Sequence, residues 1–322
     1  MKNKPNRYHH YVPQCYLRHF GFAKNSKLNS KDYFIFGYNK HSGKIIPVSV
    51  DKVCGEDYFY KLSDLVFGDN YLDSLYLETK YFADNIEKQL SRLLKFLETE
   101  LLRSASMRTD KFNMPKIGRK IVVKHLAIQY LRHPNMRKYD LDLLNEIDNE
   151  IYDFIYRNNL GNTPGAEELL NDGKYFNDDK VLTHAMLSFM NDEIIEQIVD
   201  ALSDNIWIYN YSPNGDFFTC DNPIHITPHY KGEVNHTLLG LNQYGAEVSW
   251  PINPYFTLSI YDRNYFPQKE CNDNSIIYCS EEDINHYNII RYGCAKDFVF
   301  SKSKNFTTAE RCFMINNIFN LQ

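Results

Sequence analysis

The sequence lacks the motifs that mark the commonest nucleotide-driven and hydrolytic enzymes. It has no P-loop, no G-x-G-x-x-G after a strand, no G-x-S-x-G elbow and no set of protein-kinase motifs. The sequence therefore argues against nucleotide-driven motors, Rossmann dehydrogenases and α/β-hydrolases.

The chain also lacks the segments that direct a protein to a membrane or out of the cell. No run of about 18 apolar residues is present, so no membrane span is predicted. The opening MKNKPNRYHHYVP has no apolar stretch of the kind found in signal peptides. The seven cysteines are odd in number and form no C-x-x-C, which favours neither a disulfide framework nor a zinc ribbon. We expect reduced thiols in a cytoplasmic protein.

An excess of positive charge is absent as well. The net charge is −5, so the molecule as a whole is not expected to bind nucleic acid by electrostatics. Local basic patches at the N-terminus and at residues 107–120 are still compatible with a small anion-binding site. Aromatic residues are plentiful at 15%, and they either pack in the core or line a polar cleft.

Apolar periodicity changes twice along the chain. Runs rich in β-formers occur at 33–39, 44–50, 58–61, 206–211, 216–220, 248–252, 256–261, 275–279 and 297–301. Helical spacing dominates between them, and predicted helices lie near 115–133, 144–155 and 181–202, with a stripe at Phe82, Ile86, Leu90, Leu93, Leu97 and Leu101. We therefore predict one α+β domain over 1–322. Its helical middle (69–203) packs against an antiparallel sheet built from the N-terminal (1–65) and C-terminal (206–322) strands.

The first candidate site is HHYVPQCYLRHF, residues 9–20. His9 and His10 precede Pro13, which suits the first position of a helix. A helix N-terminus presents free N–H groups, so together with Arg18 this motif predicts an anion site. Neighbouring residues in extended chain point to opposite faces, so one histidine enters the cleft while the other packs. The alternative is a pair of structural histidines that fasten the N-terminal arm.

The second candidate is FFTCDNPI, residues 217–224, in which a strand ends at Asp221 and Asn222. Such a sequence is typical of a strand-ending Asx turn. A carboxylate at a strand end is also a common general base or metal ligand. Because His225 and His229 follow closely, Asp221, His225 and His229 are candidate ligands for a divalent metal ion.

The third candidate is AIQYLRHPNMRK, residues 127–138. Arg132 lies near the end of a predicted helix, because Pro134 disfavours its continuation. An arginine there either caps the last carbonyls or binds a phosphate or carboxylate with its planar fork.

Taken together, these stretches resemble the family catalogued as domain of unknown function 4238. HHYVPQCYLRHF resembles its opening signature, AIQYLRHPNMR its central arginine-proline segment and FFTCDNPI its Ser-Asp-Asn-Pro strand. VSWPINPYFTL and DINHYNIIRYGCAKDFVFS resemble its later strand and its closing helix and strand. The matches run in order over nearly the whole chain, and the opening motif is the specific one. Cys220 stands where the family more often has serine, and His133 where threonine or serine is usual.

The resemblance implies one shared site but no activity, because the family is functionally uncharacterised. The residues of that shared site in this sequence are His9, His10, Arg132, Asp221 and Asn222.

From these residues we expect an enzyme that acts on phosphodiester or nucleotide substrates, a nuclease-like hydrolase. His9 or His10 is the expected general acid or base, and Asp221 orients that histidine or holds a divalent metal ion. Substrate-binding roles are expected for Gln14, Arg18, Arg132 and Asn222. A toxin or antiviral-defence role would suit such an enzyme. The alternatives are a non-catalytic sensor of an anionic ligand, and a structural role that ties the N-terminal arm to the C-terminal sheet.

Overall fold

The computed structural model describes residues 7–23, 33–63, 66–67, 70–71, 73–161, 163, 165–166, 179–232 and 240–319. The strands are β1 (Tyr8–His10), β2 (Phe22–Ala23), β3 (Tyr33–Asn39), β4 (Ile45–Ser49), β5 (Gly55–Asp57), β6 (Val66–Phe67), β7 (Asn70–Tyr71), β8 (Ile206–Tyr211), β9 (Thr219–Cys220), β10 (His225–Pro228), β11 (Ala246–Asn253), β12 (Phe256–Tyr261), β13 (Ser275–Tyr278) and β14 (Phe298–Ser301).

The α-helices are α1 (Gln14–Leu17), α2 (Lys88–Ser106), α3 (Lys116–Leu131), α4 (Pro134–Arg157), α5 (Lys180–Leu187), α6 (Asp192–Ser203), α7 (Glu281–Cys294) and α8 (Thr307–Phe319). A π-helix, Leu77–Glu87, runs directly into α2, and 3₁₀ turns lie at Arg18–Phe20, Val50–Lys52 and Pro267–Asn272. The chain is therefore α+β with a helical middle, as the sequence predicts.

Two five-stranded sheets carry most of the β structure. One has the order β10-β11-β12-β8-β13 and is antiparallel except where β13 pairs with β8. The other has the order β2-β3-β14-β9, with β4 on the side of β3. The second sheet joins strands from both ends of the chain, as predicted.

A side chain of α1 anchors the opening motif between the two sheets. The Tyr16 hydroxyl lies 2.7 Å from both the Thr219 hydroxyl in β9 and the Pro251 carbonyl oxygen in β11. Its ring stacks on Trp250 at 6.0 Å, and both rings are buried. The position of the first helix is therefore fixed by strands more than 200 residues later in the chain.

The helical middle contributes to the same core as the strands. Helix α3 packs along α6, and the largest buried cluster includes Tyr11, Val123 and Leu258. Within the ranges described, no helix has both the length and the apolar composition needed to cross a bilayer. All seven cysteines are free thiols, as expected from their number and spacing.

Several element predictions are wrong in detail. Residues 58–60 form turns instead of a strand, and only Thr219–Cys220 of the predicted strand 216–220 pairs. The segment 181–202 is divided into two helices, because the Asn191 side chain caps a new helix by accepting from Ile194 N–H. Helix α4 begins at Pro134, ten residues before the predicted stripe, since proline suits a first helical position. Strand β10 and helix α8 were not predicted.

Candidate functional site

The two histidines of the opening motif point to opposite sides of β1. This strand pairs with β5, with His9 opposite Glu56 and His10 opposite Gly55. A Cβ atom at residue 55 would lie 2.5 Å from the His9 carbonyl oxygen, so the close pairing requires glycine. The alternation predicted for extended chain is therefore present, and only one ring enters a cleft.

His9 faces the interior. Its Nδ1 accepts a hydrogen bond from the Tyr60 backbone N–H at 3.0 Å, and its ring lies parallel to the Tyr60 ring at 6.3 Å. The side chain is completely buried. Its contacts fasten the N-terminal strand to the segment after β5.

His10 lines a cleft of about 480 Å³ between the opening motif and the π-helix. One ring nitrogen donates to the Asp51 carbonyl, and the Gln14 amide nitrogen lies 3.3 Å from Nδ1 and 3.4 Å from Nε2. Burial lowers the pKa of His10 to about 4, and the positive charge of Arg132 acts in the same direction. At neutral pH the ring is therefore neutral, with one donor and one acceptor nitrogen.

Arg18 lies on the same side of the cleft, one turn after Gln14. Its Nη2 donates to Gln14 Oε1 at 3.1 Å, and its guanidinium lies 5.8 Å from the Tyr33 ring centroid. The Nε atom is buried, and no acceptor for it occurs in the described part of the chain. Arg18 therefore retains an N–H group that no acceptor in the described residues satisfies.

The opposite wall of the cleft comes from the π-helix and the start of α2. Its lining residues are Glu78, Ala83, Glu87, Lys88, Ser91 and Arg92. In a π-helix each N–H bonds five residues back, which brings Glu78, Ala83 and Lys88 into one row. The wall therefore presents two carboxylates and two cations to the cleft.

Arg132 lies beneath the cleft with only 1% of its surface exposed. Both Nη atoms donate to Glu87 Oε1 at 3.1 Å, Nη2 also donates to the His10 carbonyl, and Nε donates to the Tyr60 hydroxyl at 3.1 Å. The guanidinium also lies 4.0 Å from the Phe82 ring centroid. Every nitrogen of this arginine thus has a protein acceptor, and the side chain joins β1 to the π-helix.

Asp221 does not line the cleft. Its carboxylate accepts backbone N–H bonds from Lys296 at 2.7 Å, Asp297 at 2.7 Å and Phe298 at 2.9 Å, and it is 2% exposed. Burial raises the pKa of this carboxyl, while the three N–H donors oppose the rise. Its contacts hold the end of β9 against the start of β14.

His133 connects Asp221 to the opening motif. Its Nε2 bonds to the Asp221 carbonyl oxygen at 3.1 Å, and its Nδ1 caps α4 by accepting from Asn135 N–H. The ring also meets Tyr11 edge-on at 5.4 Å. Asn222 lies next to this cluster, where its carbonyl accepts from the Cys220 thiol at 2.9 Å. This cluster links the C-terminal sheet to the N-terminal arm.

The candidate metal ligands are engaged separately. His225 Nδ1 lies 2.9 Å from the Cys294 sulfur, and His229 Nε2 lies 2.9 Å from Glu247 Oε2. Across the residues that the structure describes, no group of three or more histidine, cysteine or acidic side chains has the arrangement of a metal site. Asp221, His225 and His229 are not brought together as a ligand set.

The structure thus brings His10, Gln14 and Arg18 to one cleft and places Arg132 directly behind it. His9, Asp221 and Asn222 lie in neighbouring packed regions. Sequence reasoning missed the residues Glu78, Glu87, Lys88 and Arg92, because a charged helix face usually signals only exposure to solvent.

Comparison with curated proteins and with solved structures gives no significant match. A family model described as "Protein of unknown function (DUF4238)" matches residues 8–305. This match includes the opening motif, both sheets and the whole helical middle. The chain therefore belongs to that family.

Proposed function

We propose that this chain is a cytoplasmic hydrolase of phosphoester bonds in nucleotides or nucleic acids, with the cleft around His10 as its active site. The observation that carries the proposal is the protonation and hydrogen bonding of His10. Its ring is neutral, one N–H is held by a backbone carbonyl, and the acceptor nitrogen pairs with the Gln14 amide, which lines the same cleft. Catalytic general bases are commonly arranged in this way.

The charges of the cleft suit a phosphate group. Its three cations, Arg18, Lys88 and Arg92, outnumber the carboxylates of Glu78 and Glu87, and Arg18 keeps an unsatisfied buried N–H. Binding of a phosphate anion beside His10 raises the pKa of the ring above its free value, because opposite charges stabilise each other. The substrate thereby makes His10 a stronger base when it is bound.

The proposed step begins with a water molecule held between His10 and the phosphorus. His10 takes a proton from the water, the oxygen forms a bond to phosphorus, and the ester P–O bond breaks. The protonated ring, or solvent, then returns a proton to the leaving oxygen. Glu87 lines the same cleft and is assigned to orienting the water, and the cations stabilise the charge on phosphate.

The roles of the other predicted residues change in this proposal. Arg132 holds the His10 backbone and the Glu87 carboxylate in place and does not touch substrate. His9 and Asp221 stabilise the scaffold through Tyr60 and the β14 backbone. A setting in bacterial defence, or as a toxin, would suit such an activity.

A second candidate function uses the same cleft without turnover. The unsatisfied Nε of Arg18 favours an anion-binding sensor, because a buried donor needs an acceptor. A sensor gains thermal stability with its ligand but releases no product.

Incubation of the full chain with nucleoside mono-, di- and triphosphates, single-stranded DNA and RNA distinguishes the two. Each reaction is run with and without Mg²⁺ or Mn²⁺, and products are separated by chromatography. Product formation supports the hydrolase. Ligand-dependent stabilisation with no product from any substrate contradicts the hydrolase and supports the sensor.

A further inference from the structure

Helix α4 carries large apolar side chains that nothing in the described part of the chain covers. Tyr139 is 49% exposed, Leu143 43%, Ile147 43% and Phe154 61%. Their spacing of four, four and seven residues places them along one side of the helix. An apolar surface of this kind on a folded chain marks an interaction site more often than a chance exposure.

This apolar side ends in a cavity of about 590 Å³. Its apolar walls come from Ile147, Ile151, Phe154, Ile155 and Leu160. A cavity so lined accepts a bulky apolar side chain, which is how helix-binding grooves anchor their partners.

Carboxylates line the exposed surface beside the apolar side chains. Asp142, Glu146, Glu150 and Asp153 are all exposed, and the first three are spaced by four residues. Residues 139–157 contain six acidic residues and one basic residue, Arg157, which pairs with Asp153 at 2.8 Å. The surface is therefore apolar with an acidic border.

The charge argues against a second copy of this chain as the occupant. Two α4 helices packed antiparallel through these apolar side chains would place carboxylates opposite carboxylates, which is destabilising. A cationic partner meets complementary charge instead.

We propose that the exposed side of α4 binds an amphipathic helix of a different protein, with apolar residues at helical spacing flanked by lysine or arginine. The apolar face of that helix packs on Leu143 and Ile147, and one bulky side chain enters the cavity beside Phe154. Its cations meet Glu146 and Glu150. The surface is separate from the cleft around His10, so this inference does not depend on the proposed activity.

The test uses a fluorescent leucine/lysine peptide of about 18 residues, or about five helical turns. Two control peptides are used. One has the same composition in scrambled order, and the other has glutamate in place of each lysine. Binding to the full chain is measured by fluorescence anisotropy at two salt concentrations. We expect the amphipathic cationic peptide alone to bind, and more weakly at high salt because the contribution of exposed charges is screened.

Variants locate the binding surface. Ile147→Ser with Phe154→Ser should raise the Kd at least about tenfold, a loss of about 1.4 kcal/mol. Glu146→Gln with Glu150→Gln, which leaves the apolar packing intact, should remove most of the salt dependence. Phe96→Ser is the matched control, since Phe96 is 53% exposed on another helix.

Three results would overturn the proposal. They are equal binding of the control peptides, an unchanged Kd in the Ile147/Phe154 variant, and a dimer of the free chain that this variant dissociates. The last result would assign the surface to a second copy of the chain.

Discussion

Arg132 and Glu87 meet beneath the cleft, where both terminal nitrogens of the arginine converge on a single carboxylate oxygen at 3.1 Å. The same guanidinium donates to the His10 carbonyl. One buried cation therefore sets the distance between the strand that carries His10 and the helix that forms the opposite wall.

Replacement of Arg132 should destabilise the fold strongly. Arg132→Met keeps the apolar packing but leaves the Glu87 carboxylate and the His10 carbonyl without their donor. We expect the free energy of unfolding to fall by about 3 kcal/mol. This is the low end for a broken buried ion pair, because Glu87 retains 27% side-chain exposure. Urea unfolding measures the change.

The matched control for this prediction is Arg157→Met. Arg157 pairs with Asp153 at the surface, so we expect this variant to lower the free energy of unfolding by less than about 0.5 kcal/mol. Equal unfolding midpoints for Arg132→Met and the native protein would contradict the role given to Arg132.

Replacement of Asp221 should reduce stability and leave ligand affinity unchanged. In the native protein, backbone N–H groups donate to the Asp221 carboxylate. In Asp221→Asn an amide nitrogen faces these donors, so we expect the free energy of unfolding to fall by about 2 kcal/mol or more. Asp297→Asn, at a half-exposed carboxylate that pairs with His41, serves as the control. Native stability combined with lost turnover would instead make Asp221 a catalytic residue.

Of the predicted site residues, His10, Gln14 and Arg18 line the cleft, and the sequence did not indicate its opposite wall. Alternation along β1 correctly placed one histidine in a cleft and the other in the core, because the side-chain period of a strand is local. Whether Arg132 faces a ligand or an internal carboxylate is a matter of tertiary contact, and its partner Glu87 lies 45 residues away. Local sequence patterns do not predict a contact between residues so far apart in the chain.

The same limit explains the errors in the fold. Strong periodic stripes predicted the helices α2 and α3, and runs of β-formers predicted most of the longer strands. The sequence spacing did not reveal the π-helix before α2, since steps of four suit both helix types. The sequence predicts that a helix ends before Pro134, yet this proline also begins the next helix.

Acid should destabilise the protein between about pH 6.5 and pH 4. Burial is the largest cause that lowers the pKa values of His10, His125, His133 and His225, each to about 4. In the unfolded chain these rings bind protons below about pH 6.5, while in the folded chain they stay neutral. Stability is therefore complete above pH 6.5, falls as the pH drops and levels off below about pH 4.

Urea unfolding at a series of pH values tests this prediction. His125→Gln removes one of the four groups and should make the decline shallower by up to about 1.4 kcal/mol per pH unit. A free energy of unfolding that stays constant from pH 7 to pH 4.5 would show that these histidines titrate normally.

The rate of the proposed reaction should tolerate mild acid. Because the free enzyme has a His10 pKa of about 4, kcat/KM should not decline between pH 8 and pH 5 on account of this residue. The bound phosphate raises the pKa of His10, so kcat should decline at a higher pH than kcat/KM does. A decline in kcat/KM centred near pH 6.5 would contradict a buried, neutral His10.

The most direct test of the central claim compares two histidine variants on whichever nucleotide or oligonucleotide the native chain hydrolyses. His10→Asn keeps a donor for the Asp51 carbonyl but removes the base, and His41→Asn changes an exposed histidine that pairs with Asp297. We predict that His10→Asn lowers kcat about 10²- to 10⁴-fold with unchanged thermal stability, and that His41→Asn has no effect. Full activity in a folded His10→Asn variant would show that the cleft around His10 is not the active site.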